Sequence, residues 1–186
     1  MDRRPLPLAR TVATAAGLLL IAGLAGCDSG QRIYEEAVTA AEQGVALSLE
    51  NTTAQISDLL AERSAATEIS TEDISAIFLA DARGYETEPL DAIQTRALFD
   101  MTENSDGSLT FSIFIVDSVY RASGLTTTSQ SRYSCGEITG RFGGGALSVE
   151  DLDCPPVFQQ RAGDESVYLS MTANAEKYGV SVGTSP

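Results

Sequence analysis

The chain has no histidine and no tryptophan, and Lys177 is its only lysine. Without histidine there is no Ser-His-Asp or Cys-His catalytic site, no imidazole general base and no His-ligated zinc. Cysteine is scarce too. Cys27, Cys135 and Cys154 are the only three, and none sits in a Cys-x-x-Cys pair. That spacing argues against a redox dithiol and against a soft-metal site. Positive charge is the third shortage: 12 basic residues face 26 acidic ones, for a net charge of −14. An acidic surface repels phosphate backbones, so no nucleic acid is expected as a partner. The same charge favours solubility. The six tyrosines and six phenylalanines are scattered and form no stacking array.

What is present begins at the N-terminus. Arg3, Arg4 and Arg10 precede residues 11–26, sixteen positions without a charge. Leu24-Ala25-Gly26-Cys27 closes this stretch. A charged start, an apolar middle and small residues before a cut site make a secretory signal. Sixteen helical residues span about 24 Å, short of a bilayer core of about 30 Å. The four residues ending in Cys27 resemble the lipobox of bacterial lipoproteins at every position. That resemblance implies cleavage before Cys27, a diacylglycerol on its sulfur and a site on the outer face of the cell membrane. Two acyl chains suffice for stable anchoring. Arg3-Arg4 hints at twin-arginine export, but Pro5 and Pro7 depart from that pattern and favour the general route. Loss of the leader leaves 9 basic and 25 acidic residues, net −16.

The mature part, residues 27–186, is the size of one domain with an adequate core. In an exported setting its two remaining cysteines read as a disulfide. Gly143-Gly144-Gly145 between them signals a turn. About a turn centred on Gly144-Gly145, Cys135 and Cys154 face each other on paired strands, within bridging distance. Tyr133-Ser134-Cys135 and Asp153-Cys154-Pro155 around this turn are similar to the cysteine hairpin of small lipoproteins of high-GC Gram-positive bacteria. That similarity brings no activity with it.

Residues 27–30 are read as a short linker, so the body sits close to the membrane. Tyr34, Val38, Ala41 and Val45 recur at helical spacing. Asp28 or Ser29 is the expected cap, and Gly44 puts continuity to residue 50 in question. Thr52-Thr53-Ala54-Gln55 has capping-box spacing ahead of Ile56, Leu59, Leu60 and Arg63, so a second helix is expected over 52–65. Ser70-Thr71-Glu72-Asp73 starts a third, with Gly84 as its stop. Residues 93–101 are ambiguous, with strand preferred. Asn104-Ser105-Asp106-Gly107 is a turn. Residues 109–120 form the best strand: Leu109, Phe111, Ile113 and Ile115 on one face, Phe114 and Val116 on the other, as in a central strand. Residues 126–133 stay open between strand and loop, Pro155-Pro156 breaks the chain, and residues 167–172 form a last strand. The expectation is α+β: a single domain over 31–178, with N-terminal helices on an antiparallel sheet and a disulfide-bridged hairpin, then a loose tail over 179–186.

Residues 102–113 fit part of a calcium loop through Asn104, Asp106, Gly107 and Leu109. Thr102 and Ile113 stand where its terminal carboxylates belong, so a hairpin turn is the better reading. Glu150-Asp151-Leu152-Asp153 is the densest acidic cluster, read as a charged edge strand before a cation site. The glycine triplet lacks the Lys-Ser of a phosphate loop. No metal, cofactor or catalytic residue is assigned. The function expected is non-catalytic, a lipid-anchored protein that binds an envelope partner. The alternative is a module for a small ligand, lipid or cation. A carboxylate-type enzyme ranks last.

Overall fold

The computed structural model describes residues 12–85 and 95–180, with side chains described from Gly30 onward. The element order is α1 (Val12–Glu62), α2 (Thr71–Ile77), β1 (Ala80–Asp81), β2 (Arg96–Glu103), β3 (Ser108–Ser123), β4 (Thr126–Arg141), β5 (Ser148–Asp151), α3 (Pro156–Ala162), β6 (Val167–Tyr168) and α4 (Met171–Lys177). The class is α+β. The strands form one sheet in the order β1-β2-β3-β4-β5, with β6 also on β4. Pairing is antiparallel from β2 through β5 and parallel at β1-β2 and β4-β6, so the sheet is mixed.

The sheet separates two apolar clusters. Leu109, Phe111, Ile113 and Ile115 of β3 face α1, where they meet Val45, Leu49, Ile56 and Leu60. Phe114 faces the other way and joins Ala97, Phe99, Cys135, Cys154 and Phe158. The alternation read in β3 is therefore the real one, and β3 lies in the middle of the sheet because both its faces are apolar. Phe158 brings α3 onto the second face, so helices cover both sides.

Three expectations for the N-terminal helices change. First, α1 is one helix and runs through Asp28, Ser29, Gly44 and Thr52 without a break. The Thr52 hydroxyl donates back to the Ser48 carbonyl at 2.7 Å, and that of Thr53 to the carbonyls of Leu49 and Glu50. Threonines with capping spacing thus bond inside a continuing helix. Second, the buried stripe is Ile33, Ala37, Ala41 and Val45, whereas Tyr34 is exposed. Third, Gly84 does not stop α2, which already ends at Ile77 with Phe78 extended. Its start is as read: the Ser70 hydroxyl accepts from the Asp73 N–H, and the Asp73 carboxylate accepts from the Ser70 N–H.

The strands also correct the sequence reading. Residues 126–133 belong to β4, which pairs with β3 over all sixteen positions of each. The last strand is only Val167–Tyr168, and residues from Met171 form α4. Pro156 opens α3, where a missing N–H is harmless at a helix start. Val180 packs on the core and donates its N–H to the Ala175 carbonyl, so the ordered chain passes residue 179. Residues 181–186, Ile93 and the Cys27 side chain lie outside the described part.

The disulfide Cys135–Cys154 is present, with Cα atoms 5.2 Å apart. Its geometry differs from a direct cross-strand pair. Gly136 faces Asp151 and Thr139 faces Ser148, which centres the turn on Gly143-Gly144. Leu152, not Cys154, takes the place opposite Cys135 and donates its N–H to the Cys135 carbonyl at 3.1 Å. Cys154 lies past the end of β5, where the chain bends toward Pro155.

Candidate functional site

On the face away from α1, the described residues enclose an open groove of about 480 Å³, lined by Gly84, Tyr85, Phe99, Asp100, Ser112, Glu137 and Leu152. A bulge in β2 builds it. Leu98 faces Ile113 and Asp100 faces Ser112, so Phe99 is an extra residue in the ladder. An extra residue turns two consecutive side chains to one face and re-aims them. Phe99 drops into the second apolar cluster, and Asp100 stands beside it in solvent.

The groove has one aromatic side and one acidic side. Phe99 stacks at 4.9 Å from Phe158, and Tyr85 meets Phe158 at 5.1 Å and Phe99 at 6.2 Å. Packing of this kind fixes ring positions before any ligand arrives. Across the floor, Asp100, Ser112, Glu137 and Glu150 are successive neighbours on β2, β3, β4 and β5. The buried Ser112 hydroxyl donates to Glu137 at 3.4 Å. Glu137 and Glu150 oppose each other directly, which repels unless a positive group lies between. An aromatic wall beside carboxylates suits a positively charged, partly apolar group.

The acidic features singled out in the sequence have structural partners. The turn over 104–107 is a hairpin turn, in which Asp106 accepts from the N–H and hydroxyl of Ser108 and pairs with Arg141 at 2.7 Å. Asp151 holds the start of α4. It accepts from the hydroxyls of Ser170 and Thr172 and from the N–H groups of Met171 and Thr172. Burial raises its pKa, but these hydrogen bonds outweigh it and leave the carboxylate lowered. Asp153 is exposed and does not join it in a cation site. Among the described residues no three His, Cys, Asp or Glu side chains stand close enough to hold a metal ion.

One carboxylate shifts the other way. Burial pushes Asp117 up, against the single hydrogen bond it accepts from the Ser118 N–H. It lies under α1, outside the groove. Glu42 on α1 is half-buried, which raises its pKa, but hydrogen bonds from Lys177 and Tyr178 prevail and lower it. The single lysine therefore docks α4 on α1 at 2.6 Å.

Of the sites read from the sequence, the structure joins Cys135 to Cys154 and leaves the Cys27 side chain outside its described part. The groove residues were not singled out. Phe99 and Asp100 come together through a bulge, and Glu137 reaches them across two strands, neither of which leaves a local pattern. The chain matches no protein-family model, no curated protein and no solved structure. Among the described residues no helix is long and apolar enough to cross a membrane.

Proposed function

We propose that the protein is a lipid-anchored, extracytoplasmic binding protein without catalytic activity, held in the cell membrane by acylated Cys27. The observation that carries this reading is the lipobox Leu24-Ala25-Gly26-Cys27 behind a charged start and an uncharged stretch too short to span. The partner is an envelope protein that presents a basic segment to the groove of Tyr85, Phe99, Asp100 and Glu137. The groove supports this assignment through its paired chemistry of aromatic rings and carboxylates.

A second reading shares the groove. Its volume of about 480 Å³ suits a small organic cation as well as a protein side chain. In that case the protein is a ligand-binding module, and the membrane bond is the same.

The test uses the full chain exported in a bacterium that processes lipoproteins. Labelled palmitate should enter the parent and not Cys27→Ser. The parent should capture an envelope protein from detergent-solubilised membranes, and Asp100→Lys with Glu137→Lys should lose it. Equal labelling of Cys27→Ser sinks the anchor. Capture that survives the double substitution sinks the groove as the contact.

A further inference from the structure

The contacts of α1 along the β3-β4 hairpin fix which end of the domain lies nearest to Cys27. Gly30 lies against the Thr126 methyl group, a Cβ added there meeting it at 3.7 Å. Gly44 lies against Asp117, and Leu60 against Gly140. The spacings agree. Fourteen helical residues from Gly30 to Gly44 rise about 21 Å. Six strand residues from Asp117 to Ser123, which pairs with Thr126, rise about 20 Å. The helix thus runs antiparallel to β3, and the tip of the hairpin stands beside Gly30. Cys27 is three residues earlier in the same helix, about 4.5 Å along its axis.

That tip is suited to a lipid surface. Gly124, with φ of 60°, and Leu125 form a two-residue turn between the paired Ser123 and Thr126. Leu125 is fully exposed at its apex. In a chain with 26 acidic residues, positions 118–136 contain none, and Arg121 is exposed there. Glu103, Asp106, Glu137, Glu150 and Asp151 all lie toward the opposite end of the sheet. On the helix side the nearby charges are mixed: Arg32, Glu35 and Glu36, with Arg32 and Glu36 paired at 3.8 Å. An anionic bilayer repels carboxylates and admits a small apolar apex flanked by hydroxyls and an arginine.

We propose that the β3-β4 hairpin tip is a second membrane contact, with Leu125 set into the headgroup layer of the bilayer that holds Cys27. The proposal rests on the lipid anchor above and adds an orientation to it. One acylated residue alone leaves a domain free to tilt. Two contacts side by side, the acyl chains and the hairpin tip, stand the long hairpin up from the membrane and turn the acidic end outward.

The experiment uses the full chain, exported and acylated, then reconstituted in vesicles of phosphatidylethanolamine and phosphatidylglycerol. Leu125→Cys and Ala146→Cys, at opposite ends of the hairpin, each supply the only free thiol for a nitrobenzoxadiazole label. Headgroup spin-labelled lipid should quench the label at 125 at least threefold more than the label at 146. Intact mass of the same samples reports acylation of Cys27 independently. Equal quenching on acylated protein overturns the tip contact and leaves the anchor standing. A label at 125 that is shielded from iodide but not quenched by lipid marks a second copy over the tip and also overturns it. Unacylated protein overturns the anchor and the tip contact with it.

Discussion

The carboxylate of Asp117 occupies the space that a side chain on Gly44 would need. Glycine in mid-helix ordinarily costs about 1 kcal/mol relative to alanine. Here it lets α1 approach β3 closely, and the approach half-buries Asp117 and raises its pKa.

Gly44→Ala should therefore destabilise despite its better helix propensity. Overpacking of this kind costs about 1–3 kcal/mol, and the propensity gain offsets about 1 kcal/mol of it. Urea unfolding should show a lower midpoint with an unchanged slope. Asp117→Asn should act in the opposite direction. A carboxyl with a raised native pKa binds its proton more tightly folded than unfolded, so stability falls as pH rises from about 3.9 through the native value. The amide removes that penalty. It should stabilise at neutral pH, and the gain should disappear below about pH 3.9. A variant less stable than the parent at pH 7 contradicts this.

The docking of α4 should make the protein sensitive to acid. Glu42 accepts from Lys177 and Tyr178, Asp151 accepts from the start of α4, and both carboxylates are lowered in the fold. A depressed native pKa gives stability that is present above the unfolded value, about 4, and is lost as pH falls through the native one. Glu42→Gln with Asp151→Asn should be less stable than the parent at pH 7. Its stability should also change less between pH 5 and pH 2. Thermal unfolding across that range reads both effects.

How much of this was legible in the sequence depended on how local the cause was. The Ser70-Asp73 capping box lies within four residues, and the apolar faces of β3 lie within eight, so both could be read directly. Thr52-Thr53 misled because a hydroxyl that caps a helix and one that bonds back within it occupy the same spacing. Residues 167–172 alternate like a strand, yet Ser170 caps α4 with help from Asp151, nineteen positions earlier. The disulfide was legible from cysteine count and context. Its register was not, because β4 runs two residues past Thr139, its last residue paired with β5, which moves the centre of the pairing to Gly143-Gly144. The groove depends on the bulge at Phe99, and no residue pattern announces which strand carries an extra position.

The disulfide links β4, inside the sheet, to the segment that opens α3, and its loss should be felt there. Closing a loop of 19 residues stabilises by about 3 kcal/mol in the entropy model. Cys135→Ala with Cys154→Ala should lower stability by about 2–4 kcal/mol and keep the fold, because the α1 side of the core does not involve either cysteine. Intact mass with and without reduction checks the bond in the parent. Two free thiols in the oxidised protein contradict it.

The acidic residues should not make the protein a metal carrier. Asp106 is held by Ser108 and Arg141, and Asp151 by four donors from α4, so a cation at either would have to displace existing hydrogen bonds. At the groove, Asp100 and Glu137 stand two strands apart, roughly 10 Å between backbones at ordinary strand spacing. Oxygen ligands for calcium must converge to 2.3–2.6 Å from one point, and these two face a gap instead. Calorimetry with calcium or zinc should show nothing tighter than about millimolar, the weak range of extracellular calcium modules. A peptide with one arginine beside an apolar residue should bind more tightly than either metal, since a guanidinium can stack on Phe99 or Tyr85 and reach both carboxylates. Glu137→Gln should weaken that peptide by about five- to tenfold, on the scale of the difference between a charge-assisted and a neutral hydrogen bond. Micromolar metal affinity that is lost in Asp106→Asn or Asp153→Asn would show that the acidic clusters, and not the groove, are where this protein binds.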